Sequence, residues 1–247
     1  MTPLSFAIAL VAFALGAPII GCLIAGLDRI ISARLQGRVG PPLLQPLYDV
    51  RKLLAKDRVS VNDFEGFYVA LALAFAILAG ALFFAGGNLL LVIFVLMLSG
   101  LFLIVAAYSS RSPFAEIGAQ REIIQVMSYE PMTILMAVCF YMATKTLTDA
   151  GSFDVSTVLT LDRPLIIVLP LVFVGLLFIL TIKLRKSPFD LSYTHHAHTE
   201  LVKGLSTEMS GRTLALVEIM HWYETVLFCG WVGLFLLWGD WISWLVA

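Results

Sequence analysis

Residues 66–107 read GFYVALALAFAILAGALFFAGGNLLLVIFVLMLSGLFLIVAA, without a single Lys, Arg, Asp or Glu. A bilayer hydrocarbon core of ~30 Å takes about 20 apolar residues in helix. The stretch therefore supplies two spanning helices, roughly 66–86 and 88–107. Gly86-Gly87-Asn88 separates them, and glycine and asparagine are residues that end helices and turn the chain. This hairpin sets the class of the whole protein.

Four more segments of the same kind lie outward from it, roughly 4–26, 123–144, 164–182 and 213–238. Sixty per cent of the 247 residues are hydrophobic, 13% are charged and the mean hydropathy is +0.94. A soluble domain carries roughly 25% charged residues, so a soluble fold of this composition could not cover its surface. The expected fold class is all-α: a polytopic membrane protein of about six transmembrane helices plus a cytoplasmic amphipathic helix, with the N-terminus outside. Residues 1–247 read as a single membrane domain. The first basic side chain is Arg29, so 4–26 reads as a retained span rather than a cleaved signal peptide. The tail after Asp240, WISWLVA, is too short to span, and Trp241 and Trp244 suit an interfacial anchor.

Orientation follows from the basic residues. With the N-terminus outside, loops 27–65, 108–122 and 183–212 are cytoplasmic. They hold fourteen of the sixteen Lys and Arg side chains, leaving Lys145 and Arg163 outside. Basic residues accumulate in cytoplasmic loops of membrane proteins. The same loops are long and rich in Pro and Gly, as functional loops tend to be.

The first loop runs from Arg34 through Gln36, Gly37, Arg38, Val39, Gly40, Pro41 and Pro42 to Asp57. Its glycines and prolines enforce a bent path. Leu47, Val50, Leu53 and Leu54 then recur at helical spacing, with Tyr48, Asp49, Arg51, Lys52 and Lys56 mostly on the other side. That is an amphipathic surface helix. Resting on lipid headgroups is the plain alternative to docking a partner protein.

The second loop carries Glu116, Arg121 and Glu122 near the membrane edge. Glu130 lies about two turns deeper, at ~1.5 Å per residue, beside Pro131, which is expected to kink or loosen its helix. An intramembrane carboxylate is costly unless paired, protonated or hydrated. The functional reading is an ion relay, and the plain one is a structural pair with a cation elsewhere. In the last helix Glu218, His221 and Glu224 recur at i, i+3, forming a ladder of titratable groups near one face. Glu-x-x-His can ligate metal in bundles, but a second such pair is needed and none exists.

The third loop holds Pro188, Phe189, Asp190, His195, His196, His198, Glu200 and Glu208. The three histidines invite a zinc reading, yet known zinc sites add a cysteine or a spaced distant ligand. Hydrogen bonding to a partner or a proton pathway is the alternative. Cys22, Cys139 and Cys229 are isolated in apolar segments and read as small hydrophobes. Without four cysteine ligands, the chain is expected to hold no iron–sulfur cluster. No Ser-His-Asp order, phosphate loop or dinucleotide fingerprint is present. The net charge of −1 gives no basic patch for nucleic acid.

Taken together, Arg34–Asp57, Ser112–Pro131 and Ser187–Gly211 resemble the membrane subunit shared by respiratory complex I (its subunit 1) and the membrane-bound nickel–iron hydrogenases. Complex I subunits typically carry Ala-Glu-x-Asn-Arg-x-Pro-Phe-Asp-Leu. Here Lys183 stands at that glutamate's place, while Pro188, Phe189 and Asp190 match. The His-His-Ala-His stretch and Ile-Met-His-Trp-Tyr-Glu224 are similar to energy-converting hydrogenases and formate hydrogenlyases.

The resemblance implies a membrane anchor and ion-path subunit of a redox-driven complex in the cell inner (cytoplasmic) membrane. No autonomous active site and no cofactor are expected in this chain. A nickel–iron centre and iron–sulfur clusters would sit in partners: hydrogenase-like large and small soluble subunits and iron–sulfur subunits, beside an antiporter-like membrane subunit. Arg34, Arg38, Asp49 and Arg51 would dock the soluble arm. Glu116, Glu122, Glu130, Asp190, Glu200, Glu208, Glu218, His221 and Glu224 would carry ions. The alternatives are a quinone-site subunit of a complex I type oxidoreductase and a stand-alone ion transporter, although the paired broken helices and inverted repeats of transporters are not evident. Family members typically continue through two further helices.

Overall fold

The computed structural model describes residues 3–57, 62, 64–148, 151–185 and 204–237. The helices are α1 (Pro3–Leu35), α2 (Gln45–Leu54), α3 (Phe64–Phe84), α4 (Leu89–Ser109), α5 (Pro113–Thr148), α6 (Leu165–Val168), α7 (Pro170–Lys183) and α8 (Gly211–Leu236). Short 3₁₀ turns occupy Val155–Thr160 and Gly204–Ser206. Among the described residues, α1, α3, α4, α5 and α8 are long and apolar enough to cross a membrane, and α7 is a shorter apolar helix. The protein is an all-helical, polytopic membrane protein.

Three boundaries differ from the sequence expectation. α1 runs on to Leu35 instead of stopping near residue 26, carrying Asp28, Arg29 and Arg34 on helical backbone. α5 begins at Pro113, so Glu116, Arg121 and Glu122 are helical rather than in a loop. Proline suits a first helical position, where its missing N–H costs nothing. The same helix continues through Pro131 without interruption. Third, the segment 164–182 is two helices. Leu169 leaves helical geometry at φ −126° and ψ 54°, and Pro170 restarts the chain as α7. The residue before a proline is pushed out of the α region by the ring, and hydropathy alone does not register that.

The α3–α4 hairpin packs against α8, with α1 and α5 on its flanks. Its turn is closed by Gly86 at φ +76°, a conformation glycine adopts without steric cost. Asn88 Oδ1 accepts from the Leu90 and Leu91 amides at 3.0 and 3.3 Å, capping α4. The turn is also pinned from outside: the Leu89 amide donates to the Phe153 carbonyl at 2.8 Å, and the Val155 amide to the Gly87 carbonyl at 2.9 Å. Tyr141 stacks on Phe153 with ring centres 4.7 Å apart.

Small residues let the helices approach closely, as in membrane bundles generally. Gly21 of α1 lies so near α8 that a Cβ there would come within 2.6 Å of Trp222 Cβ. Tyr223 of α8 donates its hydroxyl to the Ala14 carbonyl at 2.6 Å. The amphipathic helix α2 does not simply lie on lipid: Val50 is buried with Cys22, Ala215 and Trp222. The opposite side of α1, with Ile8, Leu15, Ile19, Leu27 and Leu35, is exposed, as expected of a face that meets lipid tails.

Candidate functional site: a buried charge network

The C-terminal end of α7 brings two cations into the bundle. Lys183 is its last residue, and Arg185 follows two positions later with φ +50°. Both side chains turn inward toward carboxylates on α5 and α8.

Lys183 Nζ lies 3.2 Å from Glu130 Oε1, with side-chain exposures of 4% and 9%. Glu130 Oε2 also accepts from Thr133 Oγ1 at 3.1 Å. The ammonium is wrapped by rings, 4.4 Å from the centre of Tyr129, 5.3 Å from Trp231 and 5.8 Å from Phe228. Aromatic faces attract a cation through the ring quadrupole, and more strongly when water is excluded.

Arg185 is a hub. Its guanidinium grips Glu122 with two bonds, 2.8 Å to Oε1 and 3.4 Å to Oε2. Its Nη1 is 2.9 Å from His221 Nε2 and 3.9 Å from Glu224 Oε2. The planar fork of arginine suits such two-point recognition. Three carboxylates, one histidine and two fixed cations thus share the interior of the bundle.

A cavity of about 630 Å³ opens beside this network between α1, α7 and α8. Asp28, Arg29, Lys183, Arg185, Glu218, His221, Glu224 and Thr225 supply its polar wall, and Ile24, Leu180, Phe228 and Val232 part of its apolar wall. Its volume falls within the roughly 300–1,000 Å³ of small-ligand pockets.

The expected ion-path residues separate into groups. Glu122, Glu130, His221 and Glu224 meet in the network, and Glu218 stands half-buried on the cavity wall. Glu116 is exposed on the first turn of α5, away from the cluster, and Glu208 is half-buried just ahead of α8. Asp190, Glu200, His195, His196 and His198 lie outside the described residues. Among the described residues, no group of three or more His, Cys, Asp or Glu could hold a metal ion.

The expected docking residues lie at the same end. Arg34 and Arg38 are exposed beside the Gly40-Pro41-Pro42 bend, and Arg51 is exposed on α2. Asp49 accepts from Arg29 at 2.6 Å and from Gln45 at 2.8 Å. Partial burial pushes its carboxyl up, but the Arg29 and Gln45 hydrogen bonds and the Arg29 and Lys52 charges hold it below the usual carboxylate range overall.

Sequence reasoning missed the cations. Lys183 was legible only as a departure from the complex I pattern, and Arg185 only as one of many positive loop residues. Glu65, 1% exposed at the start of α3, also escaped notice, because a single acid at a span boundary looks like an interfacial charge.

The sequence profile of the NADH dehydrogenase family matches residues 7–246. Hydrogenase-4 component C of Escherichia coli (strain K12) is 32% identical over 213 residues, which is 79% of this chain and 64% of that protein. NADH-ubiquinone oxidoreductase chain 1 of Xenopus laevis is 30% identical over 220 residues, covering 81% of this chain and 65% of that protein. Formate hydrogenlyase subunit 4 of Escherichia coli (strain K12) is 30% identical over 238 residues, 88% of this chain and 74% of that one. The chain thus spans just under two-thirds of the first two of these relatives. Its backbone is similar to a chain in the membrane-bound sulfane sulfur reductase, an archaeal respiratory membrane complex. There the TM-score is 0.80 at 23% identity, over 95% of this chain and 79% of that one. That likeness concerns the fold, and the profile match concerns ancestry: the chain belongs to the NADH dehydrogenase subunit 1 family.

Proposed function

We propose that this chain is the membrane anchor and ion-path subunit of a redox-driven, ion-translocating complex of the membrane-bound nickel–iron hydrogenase type. The observation that carries this reading is the buried network of Glu122, Arg185, His221, Glu224, Lys183 and Glu130. Ionisable groups inside a membrane bundle are expensive and mark ion paths. Its basic end, with Arg34, Arg38 and Arg51 exposed, faces the cytoplasm and docks the soluble arm.

Electrons from ferredoxin or formate run through iron–sulfur and nickel–iron centres in partner subunits, and this chain couples their flow to ion movement. An antiporter-like membrane subunit lies alongside in the cell inner membrane. Asp190, Glu200 and Glu208 extend the acidic entry, and Glu218 lines it.

The test measures ion uptake per electron pair in vesicles containing the assembled complex. Glu130→Gln and Glu224→Gln should each assemble and lose most uptake. Full pumping by both variants would remove this chain from the ion path. A lone, monodisperse chain after mild solubilisation would instead favour a stand-alone transporter.

One observation favours a second reading, a quinone-site subunit of a complex I type oxidoreductase: the cavity of about 630 Å³ between α1, α7 and α8 has an apolar wall and a few convergent polar groups. Hydrogen evolution by the purified complex supports the hydrogenase branch, and quinone reduction supports the other.

A further inference from the structure

We propose that the elbow between α1 and α2 seats an anionic phospholipid, its phosphate held by Arg34 and Arg38 and an acyl chain laid along α1. The inference goes beyond the docking reading, since Arg51 on α2 does not line this hollow.

After Leu35 the chain turns and runs back along α1. Gly40 lies so close that a Cβ there would come within 3.0 Å of Ile30 Cα, and a Cβ on Gly26 would collide with the Leu43 carbonyl. Between the helix and this returning segment is a hollow of about 450 Å³, lined by Ile30, Arg34, Arg38, Val39, Pro41 and Leu43 among others. Its charged lining residues are both cations. Arg38 donates to the side-chain carbonyl of Gln36, which leaves its charge uncancelled. Among the described residues, neither arginine forms an ion pair. Val39 is fully exposed, an apolar side chain open to cover by another molecule.

Depth favours a headgroup. The apolar run of α1 ends near residue 26, ahead of Asp28 and Arg29. At ~1.5 Å per residue, Ile30 stands ~6 Å and Arg34 ~12 Å beyond it. The headgroup layer occupies roughly 5–8 Å on each side of the bilayer. Helical side chains lean toward the N-terminus, which for α1 is toward the membrane, and a long arginine stem carries its charge back into that layer. The guanidinium fork matches phosphate oxygens in two-point contacts.

An apolar track continues below the hollow. Arg34, Ile30, Leu27, Leu23, Ile20 and Gly16 follow one another at three- and four-residue spacing, so they share one face of α1. Leu27 and Ile20 are 49% and 51% exposed, and a Cβ on Gly16 would meet nothing within 4 Å. Free phosphate would engage the guanidiniums and leave this track bare, whereas a phospholipid engages both.

The test uses the assembled complex, purified in mild detergent, stripped of loosely held lipid and titrated with phosphatidylglycerol or phosphatidylcholine. Native mass spectrometry counts the lipid retained and, in the same spectrum, the soluble arm, so the two losses are read separately. Wild type should retain phosphatidylglycerol at lower added lipid than phosphatidylcholine. Arg34→Gln/Arg38→Gln should need roughly tenfold or more phosphatidylglycerol for the same retention, and Arg34→Lys/Arg38→Lys should recover part of it. Removing two exposed basic residues elsewhere, in Lys56→Gln/Arg111→Gln, should change retention little. An equal loss in that control reduces the effect to general surface charge and overturns the seat, as does equal retention of the two lipids by wild type. Displacement of phosphatidylglycerol by inorganic phosphate at equal concentration overturns the acyl track. Loss of the arm with unchanged lipid retention in Arg34→Gln/Arg38→Gln keeps the docking reading and overturns the lipid seat. Loss of lipid with the arm in place supports the seat and leaves docking to Arg51.

Discussion

Arg185 Nη2 lies 2.8 Å from Glu122 Oε1, joining the end of α7 to the first third of α5. The two residues are 63 positions apart in the chain, and their side chains are 12% and 4% exposed. The same guanidinium reaches His221 and Glu224 on α8, so one side chain holds three helices to one another.

Arg185→Met should therefore cost more than any single carboxylate change. It strands Glu122 and Glu224 together, and removing one partner of a buried pair typically costs about 3–5 kcal/mol. Thermal unfolding of the purified complex should show a larger loss for Arg185→Met than for Arg185→Met combined with Glu122→Gln. Equal losses would mean that the hub contributes no coupling.

The tie between Arg29 and Asp49 has a defined pH window. Because the folded Asp49 carboxyl is held below its ordinary value, its contribution is complete above that ordinary value. It fades as pH falls through the depressed one. Hydrogen exchange over residues 40–50 should thus be flat from neutral pH down to about pH 5 once intrinsic rates are corrected, well above the ordinary carboxylate value of about 3.9. Asp49→Asn should raise exchange there at neutral pH, by no more than about 1 kcal/mol in protection because the pair is part-exposed.

Orientation is accessible to single added cysteines labelled by a membrane-impermeant thiol reagent, read against the parent chain. Lys145→Cys and Asp154→Cys should label from outside, and Lys56→Cys only after the cytoplasmic face is opened. All three positions are exposed. External labelling at residue 56 would invert the topology.

Reversing Arg38 and Arg51 together should release the soluble arm while the membrane chain still inserts. Both side chains are exposed on the loop and α2 rather than facing the bundle, so the bundle itself should be indifferent. An intact complex isolated from Arg38→Glu/Arg51→Glu would restrict this surface to lipid contact.

Gly21→Ala tests the α1–α8 contact. The added Cβ would meet Trp222 Cβ at 2.6 Å, and overpacking of this kind costs about 1–3 kcal/mol. The thermal midpoint should drop, whereas Gly16→Ala, with open space around it, should leave it in place.

Most of the scaffold was legible because lipid imposes a length and a composition on each span. Hydropathy located α3, α4 and α8 and turned the chain at Gly86-Gly87-Asn88. It did not see the break at Leu169–Pro170, where one proline divides a uniformly apolar run. Helix ends also extended past the apolar segments: α1 carries Arg29 and Arg34, and α5 carries Glu116 to Glu122, because a helix does not stop where its hydrophobicity does. Among the site residues, Glu130, His221 and Glu224 stood out as charges inside apolar runs. Lys183 and Arg185 did not, since cations at a span's end look like ordinary topology signals until the backbone turns them inward. Pairing between α5 and α7 is a tertiary fact, and no local pattern encodes it.

The two sides of the cavity are held by different means. Along α1 and α8 the backbones interlock at Gly21 and Trp222, so those helices can separate only by breaking the contact. α7 is bent away from its upstream segment at Leu169, whose amide still donates to the Leu165 carbonyl at 2.8 Å and whose carbonyl accepts from the Phe173 amide at 3.1 Å. α7 carries Lys183 and leads into Arg185, and their ion pairs with Glu130 and Glu122 tie that wall to α5. The wall that bounds the space on this side is therefore also the one that sets two positive charges against Glu122, Glu130 and Glu224.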